Sequence, residues 1–206
     1  MTPKTNMKVL TFENQEDWQE ARRGKITGTK LKDIVLRRGT TPKIGFYELI
    51  AERLASAPGE ESQRDIGVAL EGEAIEKFVE ETGKKVDTSL VIWMREDIES
   101  IAVSPDGFIG EKEAVEAKCL SSARHIEAYL TQKVPADFEM QTTQYFVVND
   151  SLKKLYVVFY DPRLIVKQLF YLTVERKEVE DQIKFYLDYE KKTIEEVNEI
   201  VNKLSF

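Results

Sequence analysis

Between Ile66 and Thr82 the apolar residues Leu70, Ala74, Ile75 and Phe78 recur at helical spacing, and Gly83 stands where such a segment closes. The pattern predicts a helix over those residues. After it the period changes. Leu90–Met94, Ile98–Val103, Phe108–Ile109 and Ala114–Cys119 are short apolar runs separated by turn residues, which predicts strands. Ser122 opens a helix to about Leu130, and Pro135 opens another to about Val148. Leu155–Tyr160 and Gln168–Val174 predict two further strands. From about Lys177 a long helix carries Val179, Ile183, Tyr186, Leu187, Ile194, Val197, Val201 and Leu204 on one stripe. Such a stripe ordinarily closes the chain's own core, and pairing with another subunit is the alternative.

The N-terminal third is less regular. Residues 1–12 read as an irregular or extended lead-in. Asn14 caps a first helix, with Asp17 at the favoured third position and Gly24 at its end. Thr27 caps a second helix to about Arg38. Gly39-Thr40-Thr41-Pro42 is a turn, Ile44 to about Ala57 a helix ended by Pro58-Gly59, and 58–65 a polar loop. Helices, a strand cluster, helices, two strands and a helix make a mixed α/β arrangement with a central sheet flanked by helices. The length of 206 residues predicts a single domain over 1–206.

Composition narrows the chemistry. Hydrophobic residues are 42% and charged residues 33%, a globular balance. No apolar run reaches the length of a membrane span. Met1 to Lys8 has no hydrophobic core of a secretory signal. The single cysteine, Cys119, excludes an internal disulfide and Cys-rich metal sites, and the single histidine, His125, excludes multi-His centres. A reducing, intracellular setting is expected. Net charge is −7, which argues against simple electrostatic binding of nucleic acid, although local charge matters more than the total.

Ser104-Pro105-Asp106-Gly107 is followed by Val115-Glu116-Ala117-Lys118-Cys119. On a strand, Glu116 and Lys118 share one face and Ala117 takes the other. Two charged groups leaving a short apolar strand together either pair or form a site. A hairpin through Gly110-Glu111-Lys112 brings Asp106 beside Glu116. Converging carboxylates call for a cation, and hard oxygen donors suit Mg²⁺. Lys118 then stands near a metal-bound water, the equipment for phosphodiester hydrolysis. Glu71 lies within the apolar face of its helix, where an acid needs a partner or a function. The plain readings are a Pro-Asp-Gly turn and a surface Glu–Lys pair worth little.

Together these residues resemble the PD-(D/E)xK nuclease signature. In detail the chain is similar to the phage lambda exonuclease group, the YqaJ-like viral recombinases. The likeness rests on Trp18, Arg22, Gly24, Ile26-Thr27 and Thr29; on Leu70-Glu71-Gly72-Glu73-Ala74 to Gly83; on Ser104 to Gly107 with Glu116 to Cys119; and on Gln141 with Tyr145, leading to Tyr160-Asp161-Pro162-Arg163. It implies a restriction-endonuclease-like core. It implies that Asp106, Glu116 and the Ala117 carbonyl bind Mg²⁺, with Mn²⁺ as a substitute. Lys118 would act on the water, Glu71 would complete the shell, and Gln141 would hold lysine and water. The family often has Gln-x-Gln here, whereas this chain has Gln141-Thr142-Thr143-Gln144, so Gln144 competes with Gln141.

On residues alone Thr27 is an N-cap and Arg22 a solvated guanidinium. The resemblance instead implies that Arg22 and Thr29, with Thr27, hold the 5′-phosphate of the strand being degraded. Lys30, Lys32, Arg37 and Arg38 are available for DNA backbone or for water. His125 is expected on an exposed helix face, and Cys119 as a buried small hydrophobe. The implied activity is 5′→3′ degradation of one strand of double-stranded DNA to mononucleotides. The implied setting is the cytoplasm of a bacterial host, with a homotrimeric ring and a single-strand annealing protein as partner. Another PD-(D/E)xK endonuclease or repair nuclease, or a non-catalytic DNA-binding scaffold, are the rival readings.

Overall fold

The computed structural model describes residues 7–35, 46, 49, 64–120, 122–162, 164 and 167–204. The turn expected at 39–42, most of the helix at 44–57, the loop at 58–63, and Arg37, Arg38 and Arg163 lie outside them.

Strand β1 (Met7–Phe12) occupies the expected lead-in, and helix α1 (Gln15–Ala21) follows. Asn14 caps α1, its side chain accepting the Asp17 N–H at 2.9 Å. Gly24 takes the left-handed conformation (φ +68) that turns the chain away after the helix. Helix α2 spans Gly28–Ile34. Thr27 stands at its N-cap position, but its hydroxyl makes no capping bond and lies 3.2 Å from the Thr29 hydroxyl instead. Helix α3 is Arg64–Thr82. Then come β2 (Leu90–Arg95), β3 (Ala102–Val103), β4 (Gly107–Ile109) and β5 (Glu113–Lys118). Helix α4 (Ser122–Thr131), a 3-10 turn (Ala136–Phe138) and α5 (Glu139–Val148) lead to β6 (Lys154–Tyr160) and β7 (Leu169–Glu175). A second 3-10 turn (Arg176–Glu178) opens the terminal helix α6 (Glu180–Leu204).

The mixed α/β arrangement is as expected, but hydrogen bonding divides the strands into two sheets rather than one. The first is antiparallel, β1-β2-β3; the second is mixed, β4-β5-β6-β7. Pro105 has no N–H to continue the ladder between β3 and β4, so the chain changes sheet just before Asp106. The strand expected over 98–103 shrinks to two residues because Ile98 accepts a turn bond from the Ile101 N–H.

Strands β5 and β6 run parallel, so the chain must cross over between them, and α4 and α5 form that crossover. The period of two then sorts their side chains onto two faces. Val115, Ala117, Tyr156, Val158 and Tyr160 pack with Ala74, Ile75 and Phe78 of α3. Ala114, Leu155, Val157 and Phe159 share the larger core with Tyr145 and Phe146 of α5 and Ile194 and Val197 of α6. The terminal stripe therefore closes the chain's own core, although Leu204 is exposed. Helix α4 departs from expectation. His125 is buried rather than exposed, its Nε2 2.9 Å from the Lys167 carbonyl and its ring against Phe170, while Ile126 and Leu130 face outward. The helix has apolar residues on two sides, and Phe170 fixes which side turns inward. Among the described residues no helix is long and apolar enough to cross a membrane.

Candidate active site

The hairpin places Asp106. β4 and β5 pair antiparallel with Gly107 opposite Val115 and Ile109 opposite Glu113, and Gly110 turns the chain at φ +58. Gly107 also lies under Val86: a Cβ there would stand 2.5 Å from Val86 Cγ1, so any larger residue would force Val86 to shift. Asp106 Oδ2 then accepts the Ala117 N–H at 2.8 Å. This bond ties the first carboxylate to the strand that carries the second.

Glu116 and Lys118 leave β5 on the face toward α5, as the alternation requires, and bond to each other through Lys118 Nζ and Glu116 Oε1. Glu116 is 2% exposed. A buried carboxylate must have its oxygens satisfied. Gln141 Nε2 donates to Oε1 and the Tyr145 hydroxyl donates to Oε2. Gln141 and Tyr145 are one turn apart on α5 and so share a face. Gln144, by contrast, is fully buried and donates to Glu190 Oε1 at 2.7 Å. Of the two glutamines, Gln141 is the one at Glu116.

Glu71 lies within electrostatic range of the Glu116–Lys118 pair, and Arg22 within range of Glu71. Burial raises the proton affinity of Glu71; Lys118 and Arg22 oppose this and Glu116 adds to it. Asp106 is held well above the usual carboxylate range by burial and by the charges of Glu116 and Glu71, against the pull of Lys118 and the Ala117 N–H. Burial works against the Lys118 ammonium, but Glu116, Asp106 and Glu71 outweigh it and raise its pKa. Lys118 thus lowers the proton affinity of both Asp106 and Glu71 while pairing directly with Glu116. Cys119, next along the strand, is partly rather than fully buried, and burial pushes its thiol up to about 11. It is a poor nucleophile there.

Arg22 stacks over Trp18, its guanidinium carbon 4.4 Å from the ring centroid. Thr29 is exposed and Thr27 buried, their hydroxyls in contact. Gly28 between them lies against α5: an added Cβ would stand 3.0 Å from Gln141 Cγ and 3.3 Å from its Cα and carbonyl oxygen. The bare glycine lets α2 abut the helix that holds Glu116.

Among the described residues, no three His, Cys, Asp and Glu side chains are gathered into a ready-made metal cage. The donor chemistry nonetheless fits a hard divalent ion. Mg²⁺ typically takes one or two carboxylates and keeps waters or substrate phosphates for its other positions. Asp106 and Glu116 supply carboxylates, and Asp106, raised first by burial and then by the charges of Glu116 and Glu71, would gain from a cation beside it.

Three residues at the site carried no assigned role in the sequence. Tyr145 contributed to the resemblance only, and a four-residue step from Gln141 was its signal. Phe138, whose ring centroid lies 5.0 Å from Lys118 Nζ, continues that face one turn earlier. Gly28 had no signal beyond its place between two threonines.

The sequence model of the YqaJ-like viral recombinase domain matches residues 17–151. No curated protein matches the chain. A crystal structure of an alkaline exonuclease, LHK-Exo, from Laribacter hongkongensis superposes with a TM-score of 0.76 at 25% identity, covering 93% of this chain and 98% of that one. LHK-Exo in complex with dAMP gives the same TM-score and coverage at 26% identity. The fold is accordingly the restriction-endonuclease-like one.

Proposed function

We propose that this chain, which belongs to the YqaJ-like viral recombinase family, is a Mg²⁺-dependent exonuclease that degrades one strand of double-stranded DNA from its 5′ end. The observation that carries the reading is the Glu116–Lys118 pair at the end of β5, with Asp106 tied to the same strand and Glu71 within electrostatic range. Three acids and an amine drawn from β5, the turn before β4 and a helix, all at least partly buried, are costly to fold. A non-catalytic scaffold would gain nothing from that cost.

Asp106, Glu116 and the Ala117 carbonyl would hold the ion, with Glu71 beside it. A divalent cation there supplies neutralisation of phosphate charge and a more acidic bound water. Lys118 would orient the attacking water. Gln141 and Tyr145 fix the Glu116 carboxylate that pairs with Lys118. Arg22, with Thr29 and Thr27, would receive the 5′-phosphate, and Arg22 is among the charges that act on Glu71. The dAMP bound to the related enzyme is a deoxynucleoside monophosphate, the product expected of stepwise removal.

The remaining parts of the reading follow the family resemblance. They are release of mononucleotides, a 3′ overhang passed to a single-strand annealing protein, a homotrimeric ring around the duplex, Mn²⁺ as substitute metal, and work in the cytoplasm of a bacterial host. A linear duplex labelled at either the 5′ or the 3′ end tests the core of it. With Mg²⁺, 5′ label should appear at once as mononucleotide while 3′ label stays in long strands. Early release of 3′ label, or cutting of closed circles, would favour another nuclease of the superfamily. Metal binding without any cleavage would favour a scaffold.

A further inference from the structure

Phe138 closes the 3-10 turn that leads into α5. Its ring centroid lies 5.0 Å from Nζ of Lys118 and 5.3 Å from the guanidinium carbon of Arg124. Both are within the roughly 6 Å over which an aromatic face attracts a cation. Arg124 is itself paired to Asp137 Oδ1 at 2.5 Å, so the turn is braced from α4.

The placement follows the helical repeat. Residues 138, 141 and 145 are spaced by three and then four, which puts them on one stripe. Gln141 and Tyr145 on that stripe donate to Glu116; Phe138, one turn earlier, meets the amine paired with it. The Lys118 side chain is only 13% exposed, so the ring acts on a largely desolvated cation, where the attraction is strongest. The choice of a ring has chemical sense. An ammonium has three protons to donate. A further carboxylate would engage one of them, whereas a π-face holds the charge and leaves the remaining protons for water and substrate.

We propose that Phe138 is a positioning residue for Lys118, holding the amine beside Glu116 so that it acts on cleavage rather than on DNA affinity. The inference rests on the exonuclease reading of Lys118.

The test uses the full chain. Phe138→Leu, which keeps apolar bulk without the aromatic face, should slow single-turnover cleavage at saturating duplex about ten- to thirtyfold. Duplex affinity measured with Ca²⁺ should stay within about twofold, and Phe138→Trp should restore most of the rate. A second readout needs neither metal nor cleavage. In protein carrying ¹³C-lysine, the Lys118 Hε protons, assigned through Lys118→Arg, should be shifted upfield by the ring. That shift should persist in Phe138→Trp and vanish in Phe138→Leu. Wild-type cleavage by Phe138→Leu, equal slowing by Leu and Trp, or unshifted Lys118 protons in the wild type would each overturn the proposal. If the wild type cleaves no DNA, the exonuclease reading fails, while the proton shift still judges the contact.

Discussion

The Tyr145 hydroxyl donates to Glu116 Oε2 from within the core, on the side of the carboxylate away from Lys118. Tyr145 is fully buried, and burial with the charges of Glu116 and Asp106 keeps its phenol protonated, its pKa well above the ordinary value. It is therefore a donor at every working pH. Tyr145→Phe leaves Oε2 buried without that donor. We expect a loss of about 1–3 kcal/mol in stability, the cost of an unsatisfied buried acceptor, read from urea unfolding. Cleavage should fall as well. Unchanged stability would mean that water replaces the phenol freely.

Lys118→Ala removes the amine and nothing of the backbone. Cleavage in Mg²⁺ should fall by about a hundred- to a thousandfold, the range for removal of one positioned donor at a reacting centre. The variant should remain folded and bind duplex DNA, both checked on the same preparation by circular dichroism and a gel shift. Digestion at the wild-type rate would remove Lys118 from the reaction.

Asp106→Asn separates the cost of the acidic cluster from its use. The amide oxygen can still accept the Ala117 N–H, but the buried charge beside Glu116 and Glu71 is gone. Because the folded carboxyl has a raised pKa, its ionisation opposes folding as pH rises. The metal-free variant at pH 8 should melt no lower than the wild type. Mg²⁺ should raise the wild-type melting temperature by mass action and leave the variant's unchanged. Equal metal-induced shifts in both proteins would place the ion elsewhere.

The order of helices and strands was legible because periods of 3.6 and 2 alternate cleanly after Ile66, and because Pro, Gly and Asn punctuate the chain. The pairing of Glu116 with Lys118 and the turn that carries Asp106 toward them follow from strand alternation and one hairpin. What was not legible depends on packing between distant segments. His125 sits inward because Phe170 selects one of two apolar sides of α4. Gln141 and Gln144 differ by one turn-fraction of helix, and only the position of α6 assigns Gln144 to Glu190. Glu190 itself had a signal, since it lies on the stripe between Ile183, Tyr186, Ile194 and Val197. An acid on an apolar stripe is the same anomaly that pointed to Glu71.

Arg22→Ala should erase the preference for phosphorylated 5′ ends. Degradation of a 5′-phosphorylated duplex should slow toward the rate on a 5′-hydroxyl duplex, which should itself change little. A charge-assisted contact of this kind is worth about 1.5–3 kcal/mol, or roughly ten- to a hundredfold. The measurement is the ratio of the two rates in each protein. A ratio preserved in the variant would move phosphate recognition away from Arg22.

Glu190 predicts a pH dependence of stability that is separate from the reaction. Glu190 and Gln144 are both fully buried, and Gln144 Nε2 donates to Glu190 Oε1. The two remaining oxygens, Glu190 Oε2 and Gln144 Oε1, are buried with no partner among the described residues. A proton on Glu190 would give Oε2 a hydrogen to donate, which the carboxylate lacks. Burial, opposed by the Gln144 bond and by Arg95, raises its pKa from 4.5 to about 8. Between those values the unfolded chain has released this proton and the folded one retains it. The contribution is thus complete below 4.5, declines as pH rises, and is exhausted above about 8. Urea unfolding between pH 5 and 8.5 should show the wild type losing on the order of a few kcal/mol more than Glu190→Gln, whose side chain cannot ionise. Parallel stability profiles in the two proteins would mean that Glu190 is already ionised in the fold and that Gln144 serves a carboxylate.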